Sequence, residues 1–342
     1  MKTKTTTKRP RPSLAKEGRD QYFLAPSANL EFVHTGATVL DCVLGGGWPL
    51  GRVSNIVGDK STGKTLVACE AMANFSRKFP KGMIRYVETE AAFDDAYAAA
   101  LGIPMDRVER PDSQLETVEA VFEDLMGALS RMKRGGLYIL DSLDALSDAA
   151  EMGREIDKAT FGAGKAKGMS QLFRRAIKKV EAKQCHFMII SQIRDNIGAT
   201  FGRKYSRSGG KALDFYASQV AYLAHLGELK RKLKGVERTI GVQIRMKCTK
   251  NKVGLPFRTC DFPILFGYGI EDITASIDWL VTNKQHRRTS LSLDDLKAIR
   301  EEAMHVEVDG ADDIRQLLAT NVIAGWSEIE KSFLPPRRKY ND

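Results

Sequence analysis

Gly58-Asp59-Lys60-Ser61-Thr62-Gly63-Lys64-Thr65 satisfies the pattern G-x-x-x-x-G-K-[ST] at every fixed position, and each fixed residue type suits contact with a polyphosphate. Glycines let the backbone wrap the phosphates closely, so that loop amides and a helix N-terminus point at their oxygens. Lys64 brings a positive charge to the β- and γ-phosphates, and Thr65 brings the hydroxyl that such loops place on Mg²⁺. A glycine-rich turn that happens to precede a helix is the alternative. It accounts for neither the Lys-Thr pair nor the flanks.

Those flanks are what must hold the loop. Before it, Val53-Ser54-Asn55-Ile56-Val57 alternates as a strand does; after it, Leu66, Val67, Cys69, Met72, Ala73 and Phe75 recur at helical spacing. Upstream, His34 to Gly47 reads as a helix closed by glycines. Downstream, Gly82 to Val87 reads as a strand ending in Glu88-Thr89-Glu90. Strand carboxyl ends face the ligand in an open α/β sheet, which places Glu88 or Glu90 to contact an attacking water; a solvated acidic loop is the alternative. Helical runs are expected around Asp94 to Leu101 and Ser113 to Met132. The apolar strand Gly136 to Ser142 carries Asp141 at its end, where a P-loop NTPase keeps the aspartate that orders Mg²⁺. A fourth strand, His186 to Ser191, ends at Gln192. This alternation predicts an α/β fold with a mostly parallel twisted sheet and helices on both faces.

The 342 residues are many for one compact domain, and 43% hydrophobic with 28% charged residues is an ordinary globular composition. No apolar run reaches the ~18 residues of a membrane span, and the first residues lack the apolar core of a signal peptide, so a cytoplasmic protein with no membrane partner is expected. Five cysteines without a C-x-x-C pair read as reduced thiols, and the scattered histidines offer no zinc pattern. The expected metal is Mg²⁺ with the nucleotide. A net charge of +10 favours a polyanionic partner, subject to where the charge lies.

It lies in three places. Residues 1–30 form a basic arm with seven Lys/Arg among the first twenty positions. Between Glu151 and Lys167 the pattern becomes irregular and glycine-rich, with Arg154, Lys158, Lys165 and Lys167, and the helix beyond continues the bias from Arg174. A second irregular stretch, Arg194 to Lys211, sets Arg194, Arg203, Lys204, Arg207 and Lys211 against Asp195 alone, among Gly198, Gly202, Gly209 and Gly210 and the aromatics Phe201 and Tyr205. Cations, glycines and aromatics together suit a loop that tracks a nucleic-acid backbone; a solvated surface loop is the alternative. Further on, Val242 to Thr249 alternates strictly, turning Val242, Ile244, Met246 and Cys248 to a core, and ends in Lys250-Asn251-Lys252.

From about Phe32 to Lys284 the chain resembles the ATPase core of the RecA recombinases of bacteria and phage. Glu88 to Tyr97 is similar to the family segment that holds the water-activating glutamate, which falls on Glu90, and it brings Asp94 and Tyr97 into the nucleotide site. Ser191-Gln192-Ile193-Arg194 matches the sensor glutamine and the start of the second DNA loop, and Ser208 to Ser218 the end of that loop and the helix after it. Lys250-Asn251-Lys252 resembles the lysine pair that reaches a neighbouring subunit's ATP, and Phe266 falls where the family has an aromatic near the adenine. The resemblance implies ATP and Mg²⁺ as cofactors, single-stranded and homologous double-stranded DNA as partners, self-assembly into a helical filament, and strand exchange. Single-strand-binding or loader proteins are further candidate partners. A RecA-fold ring helicase and a recombination mediator without strand exchange are the alternatives. Against the family pattern the first DNA loop reads as longer, and the last residues given, Pro335 to Asp342, read as basic where the bacterial family has an acidic tail. Beyond Lys284 the match ends, and Ser292 to Met304, Asp312 to Thr320 and Trp326 to Phe333 predict three short helices, the first opened by a Ser292…Asp295 capping pattern. The expected division is a basic arm over 1–30, a RecA-like core over 31–284 and a small helical C-terminal domain over 285–342.

Overall fold

The computed structural model describes residues 30–90, 93–147, 163–195, 205–207 and 210–335. A short antiparallel ladder, β1 (Phe32–Val33) with β2 (Trp48–Pro49), brackets α1 (Thr38–Leu44). That helix stops at Gly45, whose φ of 78° is a left-handed conformation that a side chain resists. Strands and helices then alternate as β3 (Val53–Gly58), α2 (Lys64–Lys78), β4 (Met83–Glu88), α3 (Asp95–Ala100), β5 (Val108–Glu109), α4 (Val118–Arg131), β6 (Gly136–Asp141), α5 (Ala163–Ala182) and β7 (Cys185–Asp195). There follow β8 (Tyr205–Arg207), α6 (Gly210–Tyr216), the long strands β9 (Gln219–Leu233) and β10 (Val236–Asn251), then β11 (Arg258–Leu265) and β12 (Gly269–Ile270). Helices α7 (Asp272–Thr282), α8 (Leu293–Ala303) and α9 (Ala311–Ser332) complete the described chain.

Among the described residues one large sheet runs in the order β12-β11-β10-β9-β3-β7-β6-β4-β5, with β8 paired to β7. Pairing is parallel from β9 through β3, β7, β6 and β4 to β5, and antiparallel from β9 to β12. The central strands are buried on both faces by alternation. Ile56, Ile84, Tyr86, Leu137, Ile139, Met188 and Ile190 join one apolar cluster with α1, α2 and α7. Val53, Val57, Val87, Tyr138, Leu140, Phe187 and Ile189 join the other, with α4, α5 and α6. A period of two on strands and of 3.6 on the covering helices gives this doubly covered sheet. Ile244, Met246 and Cys248 are fully buried, as the alternation of β10 requires. The five cysteines are free thiols, four of them buried.

Several elements differ from the sequence reading. The helix expected over Ser113 to Met132 starts later, at Val118, where the Thr117 hydroxyl accepts the Ala120 N–H as its cap. Ala163 to Lys167, read as irregular, form the first turns of α5. The stretch from Arg194 to Lys211 is framed by regular structure: β7 runs on to Asp195 and pairs antiparallel with β8, with Arg194 opposite Ser206 and Ile193 opposite Arg207, and α6 begins at Gly210. The capping box at Ser292 and Asp295 is present on α8. The next two expected helices are one, α9, which continues through Asn321 to Gly325 because Val322 is fully buried and Gly325 packs against the Gln285 side chain. Leu296, Ala303, Leu318 and Val322 enter the same apolar cluster as α1 and α2. The bidentate Arg258–Glu330 pair and Trp279, whose ring lies tilted 5.6 Å from that of Trp326, add to that contact. Among the described residues no helix is long and apolar enough to cross a membrane.

Candidate nucleotide and DNA site

The loop from Gly58 to Thr65 joins the end of β3 to the start of α2 and lines a cleft of about 350 Å³ with Glu90, Asp141, Ser142 and Gln192. Two of its glycines have steric reasons. A Cβ on Gly58 would sit 2.4 Å from the Thr62 hydroxyl oxygen, and one on Gly63, at φ +78°, would meet Ile264 of β11 at 2.5 Å. Thr62 tightens the loop by donating to the Asp59 carbonyl at 2.9 Å, and the Asp59 carboxylate accepts the Lys60 N–H at 2.7 Å. α2 begins without a side-chain cap and without an acid in its first turn. Its terminal amides and positive dipole end are thereby left for an anion in the cleft.

Lys64 Nζ donates to the Asp59 carbonyl at 2.6 Å. Burial pushes its pKa down, partly opposed by the negative charge of Asp141 and Glu90. Asp141, at the end of β6, accepts hydrogen bonds from the Thr65 hydroxyl at 2.8 Å and the Tyr86 hydroxyl at 2.9 Å. Burial nevertheless raises its pKa, with Thr65 and Tyr86 pulling the other way. Glu88 and Glu90, left open as alternatives by the sequence, separate in space. Glu88 accepts the Phe93 N–H at 2.7 Å and so braces the turn after β4, whereas Glu90 is exposed in the cleft. Glu90 Oε1 accepts from the Ser142 hydroxyl at 2.5 Å and from Gln192 Nε2 at 3.0 Å. Gln192 lies opposite Gly58 in the β3–β7 register, and its N–H donates to Asp144 at 2.6 Å.

Tyr86, Ser142 and Asp144 are the residues sequence reasoning missed. Each sits in a strand or just after one and reads there as core or turn; only their order on β4 and β6 beside Glu88 and Asp141 pointed to them. The cleft suits a nucleoside triphosphate with a hard divalent cation. It offers loop amides and Lys64 for phosphate oxygens, and a hydroxyl and a carboxylate 2.8 Å apart for a metal that keeps most of its water. Ile264 sits beneath Gly63, and two residues further on Phe266 is 58% exposed. Next to it, Gly267 makes a backbone hydrogen bond to Tyr97, and the Asp94 carboxylate caps α3 through the Tyr97 N–H at 3.0 Å. Asp94, Tyr97 and Phe266 are thus gathered near one another but do not line the cleft itself.

Lys250 and Lys252 are also outside the cleft of their own chain. Lys250 Nζ donates to the carbonyls of Asp214 and Phe215, the latter at 3.0 Å, and Lys252 Nζ to Phe215 at 3.1 Å. Both lysines therefore cap the end of α6, whose other end follows the second basic stretch. Lys167 and Arg174 are exposed on α5, which also carries Lys165. Arg194 and Arg207 lie on β7 and β8, and Gly210 and Lys211 open α6. Arg154, Lys158, Phe201, Arg203, Lys204 and Gly209, together with the basic arm before residue 30 and the tail after 335, lie outside the described residues.

Comparison with known proteins gives the chain's family. The model of the RecA N-terminal domain family matches residues 20–271. The chain is 36% identical over 256 residues to Protein RecA of Synechococcus sp. (strain CC9605), covering 74% of this chain and 65% of that protein. It is likewise 36% identical to Protein RecA of Nostoc punctiforme, of which it covers 68%, and to that of Prochlorococcus marinus (strain NATL1A), of which it covers 65%. The chain belongs to the RecA family. As a RecA-family chain it spans just under two thirds of the length of the Synechococcus and Prochlorococcus relatives. The family match ends at residue 271, just before α7, α8 and α9, so the C-terminal helices are outside what the family model accounts for.

Proposed function

We propose that this RecA-family chain is an ATP-dependent DNA recombinase that assembles as a helical filament on single-stranded DNA and exchanges homologous strands. The observation that carries this reading is the Gln192–Glu90 hydrogen bond. Gln192 reaches a carboxylate at the phosphate end of the cleft, and from the next residue, Ile193, its own strand pairs with β8 in the ladder that frames the basic stretch. A change at the γ-phosphate is thereby one side chain away from a DNA-facing loop, which is the arrangement a nucleotide-gated DNA grip requires.

In this reading the P-loop amides from Asp59 to Lys64 bind the phosphates, and Lys64 moves from the Asp59 carbonyl to a phosphate oxygen. Mg²⁺ bound with ATP would neutralise β- and γ-phosphate charge. Thr65 and Asp141 would hold it, with Tyr86 fixing the carboxylate's orientation. Glu90, steadied by the Ser142 hydroxyl, orients the attacking water. Asp94, Tyr97 and Phe266 border the base and sugar side. Lys250 and Lys252 would act on a neighbouring subunit's ATP, leaving the α6 carbonyls to do so; charge developing on the transferred phosphoryl group needs cations from outside the P-loop. The basic residues of α5 and of the β7–β8 hairpin would follow the DNA backbone.

The test is strand exchange between a bound single strand and a fluorescently labelled homologous duplex, with ATP and Mg²⁺. Homology-dependent exchange is expected. Unwinding that ignores homology would assign the chain to ring helicases instead, and DNA binding without exchange to mediators.

A further inference from the structure

Lys250, Asn251 and Lys252 are consecutive, yet they hold different parts of the molecule. Both lysines reach carbonyls near the end of α6. Asn251, between them, turns to the opposite face of the strand, as alternation requires, and meets the end of α1, where its Nδ2 donates to the Leu44 carbonyl at 3.0 Å. Its Oδ1 accepts the N–H groups of Val253 and Gly254, each at 3.0 Å. Two of these bonds close the turn that follows β10, in the manner of an Asx turn, and the third fixes that turn to a helix end.

The helix end that receives Asn251 is well anchored. Val39, Leu40, Val43 and Leu44 of α1 are fully buried, and its first turn is tied to α7 where the Thr38 N–H and hydroxyl donate to Asp272 at 2.8 and 3.1 Å. The same Leu44 carbonyl accepts Gln219 Nε2 at 2.8 Å, and Gln219 Oε1 accepts the Ser54 hydroxyl of β3 at 2.8 Å. Gln219 is the cross-strand partner of Asn251. One carbonyl therefore links the end of β10 to β9 and, through Ser54, to the strand that leads into the P-loop. The fit is close: a Cβ on Gly254 would lie 3.0 Å from both Gly45 Cα and Asn251 Nδ2.

A turn that served its own fold alone would need only the bonds to Val253 and Gly254. The bond to Leu44 sets where the turn sits relative to the sheet. That matters for the two lysines, because each ammonium has to leave α6 and swing to a neighbour's phosphoryl oxygen while the backbone beneath it keeps its place. A misplacement on the order of 1 Å can cost about 10²-fold in rate. Bonds made from the face away from the lysines survive that swing. We propose that Asn251 is a positioning residue for hydrolysis across the subunit junction, holding the backbone from which Lys250 and Lys252 reach the neighbour's ATP. This deepens, and rests on, the reading of the two lysines as acting in trans.

The experiment measures DNA-stimulated phosphate release by the full chain across ATP concentrations, for N251A, G254A and K250A/K252A, each alone and mixed with K64A protein. N251A should lower kcat by about tenfold or more, with KM for ATP and fluorescent-nucleotide binding within about twofold of wild type, since its own P-loop is untouched. G254A keeps Asn251 and both lysines but crowds the turn off α1, and should lower kcat in the same way. Mixed with K64A, both variants should regain turnover above the sum of the separate rates, because K64A subunits present intact lysine tips to the variants' P-loops. A fault confined to a variant's own fold or P-loop gives no such gain. Melting curves accompany each variant, and where N251A does not fold the G254A mixtures decide by the same criterion. Wild-type kcat in N251A, or strictly additive rates in its mixtures where K250A/K252A mixtures show a gain, overturns the role of Asn251 alone. Wild-type turnover in K250A/K252A overturns the trans reading and the proposal with it.

Discussion

Gln192→Ala isolates the proposed link between the cleft and the β7–β8 ladder. The substitution removes the 3.0 Å bond from Nε2 to Glu90 but spares the backbone N–H bond to Asp144 and the strand pairing with β3. Hydrogen bonds to charged groups contribute about 1.5–3 kcal/mol, and Glu90 is exposed to solvent, which puts this one near 1.5 kcal/mol. At about 1.4 kcal/mol per tenfold, DNA-stimulated hydrolysis should fall roughly tenfold. Nucleotide affinity should hold within about threefold, because Glu90 keeps its bond from Ser142 and the P-loop is untouched. The assay pairs DNA-stimulated phosphate release with binding of a fluorescent nucleotide. Unchanged stimulated turnover would refute the coupling. Lost nucleotide binding with intact folding would show that Gln192 holds the site rather than reads it.

Lys64→Ala should abolish hydrolysis while the far-ultraviolet circular dichroism spectrum and melting curve stay near wild type; normal turnover in a folded variant would contradict the P-loop assignment. Lys250→Ala with Lys252→Ala should still bind nucleotide but lose DNA-stimulated turnover. Mixed with Lys64→Ala protein it should regain activity from junctions that pair intact halves, and strictly additive background rates across mixing ratios would count against action in trans. Replacing Arg203, Lys204 and Arg207 with Ala should flatten the single-strand salt slope by up to ~2, at about 0.7 per phosphate, and an unchanged slope would move the DNA site elsewhere. Because burial raises the Asp141 pKa above its ordinary 3.8, the folded state binds more protons, so this group's effect on stability worsens as pH rises from 3.8 through the raised value. Asp141→Asn removes that buried charge and keeps an oxygen for Thr65 and Tyr86, so the nucleotide-free protein should melt higher at pH 7 while Mg²⁺-dependent hydrolysis is lost. A lower melting temperature would contradict this.

The P-loop and Asp141 were legible because each sits at the end of a strand whose apolar run is unmistakable, and because glycine spacing fixes a backbone shape rather than a side-chain preference, whereas Glu90 and Gln192 were singled out only through the family resemblance. β10 was legible from alternation alone. β9 was not: its outer half is Glu228 to Leu233, a charged ribbon with no core to write a pattern into the sequence. α9 was split into two because Asn321 to Gly325 holds weak helix formers, and the packing of Val322 and Gly325 overrides that local preference. Glu88 and Glu90 could not be told apart from spacing, since the turn that turns Glu88 back onto the Phe93 N–H is a tertiary result. The seat of Lys250 and Lys252 on the last carbonyls of α6 was likewise out of reach, because the partners are more than thirty residues away in sequence.

The central claim, that this chain works as an ATP-gated filament on single-stranded DNA, is tested most directly by electron microscopy of the protein with single-stranded DNA and a slowly hydrolysed ATP analogue. Continuous helical filaments are expected, absent without nucleotide and absent for Lys64→Ala. Closed rings, or DNA-bound particles that never polymerise, would contradict the account.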